Sequence, residues 1–88
     1  MSEKEFAEKL KIEGFSGIYI WEDGPGAYYP DHVHNKLSAH IILDGEMILT
    51  VDGKTILLKV GDRYDVPANT VHSARMGKGG CRYIVGEK

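Results

Sequence analysis

Residues 31–40 read DHVHNKLSAH, and this stretch holds three of the four histidines of the chain. The fourth, His72, ends a separate stretch at residues 61–72, GDRYDVPANTVH. Histidine is the commonest neutral nitrogen ligand of transition metals in proteins. Alternate residues of a β-strand point to the same side, so both imidazoles of His32 and His34 can reach one ion. The pattern predicts a metal site in a β-protein, completed by His72 from a neighbouring strand.

Turn signals divide most of the chain into short strands. Asp44-Gly45 and Asp52-Gly53 each stand between apolar runs, which is a strong hairpin signal. They predict a meander of strands at about 38–43, 46–51 and 54–60, then strands at 63–66, 71–76 and 81–85, with a loop at 78–80. Many short strands with regular turns are typical of a barrel or sandwich. We therefore predict an all-β fold, a single β-barrel or jelly roll.

A short helix is predicted ahead of the strands. Residues 3–11 place apolar side chains on one face, and Ser2 with Glu5 predicts a capping box. Gly14 ends this segment. We predict one domain over residues 1–88, with a helical arm at 1–13 and the barrel at 17–86.

The strand at 41–49 carries apolar residues on both faces, whereas a sheet with one wet face alternates more cleanly. Either the N-terminal helix or a second subunit would have to cover the second face. From this pattern we predict a homodimer.

Composition excludes several classes of protein. The net charge of −2 provides no basic field for nucleic acid. The single Cys81 cannot form an internal disulfide, which suits a reducing compartment. The N-terminus does not resemble a secretory signal, and no apolar run is long enough to span a bilayer. We expect a cytoplasmic protein that binds neither nucleic acid nor membrane.

Together the two histidine stretches resemble the motifs of the cupin superfamily of small β-barrels. The first cupin motif is G-x5-H-x-H-x3-4-E-x6-G, and the chain matches it with Gly26, His32, His34, Ser38 and Gly45. Every fixed position agrees except the glutamate, which is Ser38.

The second cupin motif, G-x5-P-x-G-x2-H-x3-N, is matched by Gly61, Pro67, Asn69, His72 and Met76. Asn69 replaces a glycine, and Met76 replaces the final asparagine. Both motifs occur in order over more than half of the chain. The resemblance therefore predicts the cupin fold.

In many cupins three histidines and the glutamate bind one divalent metal. The resemblance implies that His32, His34 and His72 hold a transition metal such as Fe, Mn, Ni, Cu or Zn. Ser38 is a poor substitute for the acid. His40 faces the same way as Ser38 and is expected either to supply a fourth nitrogen ligand or to stand in the cavity as an acid or base.

Two classes of function follow from the resemblance. One is a metalloenzyme that acts on a small organic substrate as a dioxygenase, isomerase or lyase. The other is a non-catalytic module that binds or senses a small molecule or metal, and fold alone does not choose between them. Several aromatic residues are candidates for the cavity wall, and alternation with Val66 favours Tyr64 among them.

Overall fold

One helix and six antiparallel strands form the described part of the chain, residues 2–88 of a computed structural model. The elements are α1 (Glu3–Ile12), β1 (Ser16–Asp23), β2 (Tyr28–His32), β3 (Ser38–Val51), β4 (Lys54–Leu58), β5 (Arg63–Val66) and β6 (His72–Glu87). The strands join in the order β1-β6-β3-β4, while β2 also pairs with β6 and β5 with β3. The predicted all-β fold with a short N-terminal helix is confirmed.

The two longest strands correct the predicted meander. β3 continues through Asp44-Gly45 and β6 continues through residues 78–80, so neither the predicted hairpin nor the predicted loop exists. Both strands have positive backbone φ angles here, 75° at Gly45 and 79° at Gly80. Gly45 is paired with Cys81, and the register of β3 and β6 shifts on both sides of this level. The glycines therefore bend two paired strands at a bulge instead of reversing the chain.

Asp52-Gly53 does form the predicted hairpin turn between β3 and β4. Its two residues have φ angles of 48° and 82°, and Val51 pairs with Lys54 across it. Positive φ at both central residues is the geometry of the type I′ turn that matches the twist of paired strands.

The helix covers the second face of β3. Ser2 and Glu5 cap its first turn reciprocally, as the sequence predicts. Leu10 is fully buried in the cluster between the helix and the sheet, which also contains Phe15, Ala39, Ile41 and Ile84. Arg63 on β5 forms a bidentate ion pair with Glu13 at 2.7 and 2.8 Å and so ties the end of the helix to the sheet. The sequence left open whether the N-terminal helix or a second subunit covers this face, and within the chain the helix covers it.

The other face of the sheet encloses the larger apolar cluster. Its buried members are Ile42, Met47, Leu49, Val51, Leu58, Val66, Ala74, Met76, Cys81, Tyr83 and Val85. A cavity opens from this side of the sheet. Within residues 2–88, no helix is long and apolar enough to cross a membrane.

Candidate metal centre

A cavity of about 450 Å³ opens from the inner face of the sheet. Four histidines line it together with aromatic, aliphatic and polar side chains. The lining residues are Tyr19, Trp21, Tyr29, His32, His34, Ser38, His40, Met47, Leu49, His72, Ala74, Tyr83, Val85 and Glu87. The volume lies in the range of small-molecule sites, roughly 300–1,000 Å³.

Three histidines converge in this cavity. One ring nitrogen from each of His32, His34 and His72 lies within 4.8 Å of the others. The ring centroids are 4.1 Å apart for His32 and His72, 4.8 Å for His32 and His34, and 5.1 Å for His34 and His72. Three imidazoles that surround one point can hold a divalent transition metal, because imidazole is a favoured ligand of these ions.

Backbone carbonyl groups orient two of these rings. The Nδ1 of His32 lies 2.7 Å from the Pro30 carbonyl oxygen, and the Nδ1 of His72 lies 3.0 Å from that of Thr70. An Nδ1–H that donates to a carbonyl leaves the Nε2 lone pair free. The two residues are also direct partners across β2 and β6. Their Nε2 atoms are therefore the ligand atoms that this arrangement makes available.

The position of His34 corrects one part of the sequence prediction. His32 is the last residue of β2, and His34 lies beyond the strand end instead of on the same strand. The backbone N–H of Asn69 donates to the His34 carbonyl at 2.7 Å. Asn69, which replaces the glycine of the cupin motif, has a left-handed backbone with φ of 59°. The turn before His72 therefore holds the His34 segment as well as directing β6.

Burial and the neighbouring imidazoles favour the neutral form of His72. Burial lowers the pKa of His72 below its ordinary value, and the neighbouring rings of His32 and His34 lower it further. A metal ligand must be a neutral imidazole, so this shift favours the binding-competent form.

His40 lies in the same cavity but outside the three-histidine cluster. Its Nδ1 atom is buried and has no hydrogen-bond partner among the described residues. Burial lowers its pKa from 6.5 to about 4, and the nearby His72 adds to the shift. Ser38, two residues earlier, also lines the cavity and is buried. His40 is thus a neutral imidazole beside the candidate metal site, with its buried Nδ1 unpaired among the described residues.

The depressed pKa of His40 predicts an acid-sensitive native state of the metal-free protein. Above pH 6.5 the ring is neutral in both the folded and the unfolded chain. As the pH falls from 6.5 towards 4, the unfolded chain binds a proton that the folded chain excludes, so stability is lost. The full loss from this group is about 3 kcal/mol. We expect His40→Gln to remove this part of the pH dependence, measured by urea unfolding at pH 7 and pH 4.5. An identical pH dependence in both proteins would contradict the assignment.

A carboxylate organises the aromatic wall of the cavity. Asp23 Oδ1 accepts hydrogen bonds from Trp21 Nε1 at 3.0 Å and from the Tyr29 hydroxyl at 2.8 Å. Its Oδ2 accepts one from the Tyr83 hydroxyl at 2.8 Å. Burial, followed by the hydrogen bond to Asp23, raises the pKa of both tyrosines. Asp23 therefore joins side chains from three strands on one side of the cavity.

The favoured wall residue of the sequence analysis, Tyr64, is not part of this cavity. It packs against the apolar cluster on the inner face of the sheet. The aromatic wall consists instead of Tyr19, Trp21, Tyr29 and Tyr83. Alternation on β5 was insufficient because no residue of that strand lines the cavity, whose lining comes from β1, β2, β3, β6 and His34.

Asp23→Ala is expected to loosen the aromatic wall. The substitution leaves three donors without their acceptor, and we expect a loss of about 2 kcal/mol in the free energy of unfolding. Trp21 is the single tryptophan of the chain, so its emission reports the wall directly. We expect a red-shifted emission maximum and a lower urea midpoint. Asp31→Ala removes an exposed carboxylate of β2 and is the matched control. Equal emission and stability in the two variants would contradict this role.

Comparison with known proteins places the fold in a family. A family model described as a cupin domain matches residues 19–86. The chain belongs to the cupin family. The recognition made from the two histidine motifs is confirmed, since both motifs lie inside the matched region.

Individual relatives share only part of their length with this cupin. Quercetin 2,3-dioxygenase of Bacillus subtilis (strain 168) is 43% identical over 60 residues, which are 67% of this chain and 18% of the dioxygenase. The cupin domain of Schizosaccharomyces pombe Cnp3 has a TM-score of 0.75 at 24% identity, covering 80% of this chain and 53% of that one. The DMSP lyase DddQ of Ruegeria pomeroyi has a TM-score of 0.74 at 26% identity, covering 81% and 36%. The chain spans less than two thirds of each of these proteins.

Proposed function

We propose that this cupin is a metal-dependent enzyme that oxygenates a small organic substrate. The observation that carries the proposal is the convergence of three histidine side chains on one point inside a cavity of about 450 Å³. A cavity of this size takes a small organic molecule, and an ion on three protein ligands keeps positions open for it.

His32, His34 and His72 would hold the ion, with Fe, Mn, Ni, Cu and Zn as candidates. A divalent metal at this place supplies Lewis-acid or redox chemistry to a bound molecule. The carbonyls of Pro30 and Thr70 hold two of the ligand rings in place. The aromatic wall offers apolar and stacking surface to the substrate, and His40 lines the same cavity.

The dioxygenase relative favours oxygenation over the other reactions of the superfamily. Its 43% identity covers 60 residues of this chain. The DMSP lyase DddQ is less similar, at 26% identity. A lyase reaction is therefore a second possible outcome of the same test. The substrate of either relative is a starting point for that test.

A non-catalytic binding module is the second candidate. The observation that favours it is Ser38, which stands where the cupin motif has a glutamate ligand. A weaker ligand set suits reversible binding of an ion or small molecule. Such a module would bind metal and ligand without turnover.

Oxygen uptake separates the two candidates. The metal-free protein is reloaded under anaerobic conditions with one ion at a time, then mixed with quercetin or a simple aromatic diol in an oxygen electrode. We expect uptake with at least one ion, with no uptake by His34→Ala treated in the same way. Metal and ligand binding without uptake or any product would favour the binding module.

We also propose that the protein is a homodimer in the cytoplasm. Exposed apolar side chains on both faces of β1 support the dimer. Ile20 is 41% exposed on one face, and Tyr19 and Trp21, which also line the cavity, are 50% and 49% exposed on the other. The buried free thiol of Cys81 suits a reducing compartment. Light scattering at micromolar concentration tests the dimer, and a monomer mass would contradict it.

A further inference from the structure

We propose that Glu87 supplies the metal site with the carboxylate that the cupin motif places at position 38. The inference rests on the proposed metal-binding function and names one more residue of the same site. In this chain the motif position holds Ser38, whose neutral hydroxyl is a poor ligand. The carboxylate would thus come from β6 instead of β3.

Strand register brings the two positions side by side. Ser38 and Glu87 are direct partners in the antiparallel pairing of β3 and β6. The β-carbons of such partners lie about 4.5–5.5 Å apart. A glutamate at 87 therefore starts one strand away from the place where the motif glutamate starts. The flexible side chain of Glu87 can cover much of that separation.

Strand alternation turns Glu87 to the inner face. Tyr83 and Val85 belong to the apolar cluster on the cavity side, whereas Ile84 packs with the helix on the other side. Glu87 continues the inner series two residues after Val85. It lines the same cavity as the three histidines, as does its partner Ser38.

The Glu87 carboxylate has no competing partner in the described chain. Among residues 2–88, acidic side chains of Glu3, Glu13 and Asp65 form the ion pairs with arginine, and Glu87 forms none. Its recorded hydrogen bond uses the backbone carbonyl, which accepts from Ser16. Within the same residues, it is the one acidic side chain that lines the cavity.

A carboxylate ligand would partly neutralise the charge of a bound divalent ion. Three neutral imidazoles leave a divalent ion with its full positive charge, which one carboxylate ligand would reduce. The Glu87 oxygens lie outside the cluster of histidine nitrogens within 4.8 Å. The proposal therefore requires the side chain to turn towards the histidines when the ion binds.

Cobalt titration of the metal-free protein tests the proposal without any substrate. Co²⁺ reports both the affinity and, through its visible absorption, the ligand set. We expect Glu87→Gln to lower the affinity by at least about tenfold and to change the absorption spectrum. Adding Ser38→Glu to that variant should restore both, because the carboxylate returns to the motif position. Glu46→Gln changes an exposed carboxylate of β3 and should bind Co²⁺ like the unaltered protein.

The outcomes distinguish this inference from the proposed function. Unaltered affinity and spectrum in Glu87→Gln would overturn the role of Glu87 while leaving the three-histidine site in place. A loss in Glu87→Gln that Ser38→Glu does not restore would also overturn it. Failure of the unaltered protein to bind Co²⁺ would instead contradict the proposed function. Circular dichroism melts of the metal-free variants check that each one is folded.

Discussion

His34→Ala is expected to lower the affinity for a divalent transition metal by at least about 100-fold. Loss of a residue that only orients a ligand already costs 10–100-fold, and His34 would be a ligand itself. The ring also contributes one of the three nitrogens that lie within 4.8 Å of one another. Because a bound ion stabilises only the folded chain, the rise in melting temperature on adding metal should disappear in this variant. Isothermal titration and thermal melts with and without metal measure the two effects.

His40→Ala is the matched comparison for His34→Ala. It removes an imidazole from the same cavity, but one that lies outside the three-histidine cluster. We expect this variant to keep most of the metal affinity. A loss as large as that of His34→Ala would make His40 the fourth ligand. Full metal retention in His34→Ala would contradict the site.

Gly45→Ala is expected to destabilise the protein by about 3 kcal/mol or more. A β-carbon at this position would collide with the carbonyl oxygen of Gly80 and would lie 2.9 Å from its carbonyl carbon. Both atoms belong to the backbone of β6, so a change of side-chain rotamer cannot relieve the collision. The φ angle of 75° adds strain for any residue with a β-carbon. Urea unfolding followed by circular dichroism measures the loss.

Gly53→Ala separates the collision from the backbone strain. Gly53 has a similar φ angle of 82°, but no atom lies within 4 Å of the position of its added β-carbon. We expect this variant to lose only about 1 kcal/mol, the cost of a left-handed backbone. Equal losses in Gly45→Ala and Gly53→Ala would show that close approach of β3 and β6 is not the cause.

These two glycines also show how far local sequence predicts this fold. Asp44-Gly45 and Asp52-Gly53 carry the same hairpin signal, but only the second reverses the chain. The difference lies in a contact that is distant in sequence, the approach of Gly45 to Gly80. Helix capping by Ser2 and Glu5 was predictable because every partner lies within three residues.

In the candidate site, too, some residues were predictable from local sequence and others depend on contacts between distant strands. The motif spacing was enough to predict that His32, His34 and His72 come together. The places of Asp23 and Glu87 were not predictable, because they follow from the pairing of β6 with β1, β2 and β3. Short motifs identify residues of a site when the family fixes their spacing. Site residues that other strands contribute can be identified only once the register of the sheet is known.

The most direct test of the three-histidine site is the metal content of the protein as purified. Elemental mass spectrometry should be run on protein prepared without an affinity tag or chelator, beside His32→Ala and His72→Ala. We expect about one transition-metal ion per chain in the unaltered protein and far less in both variants. An unaltered protein that carries no metal and takes up none when it is added back would contradict the three-histidine site.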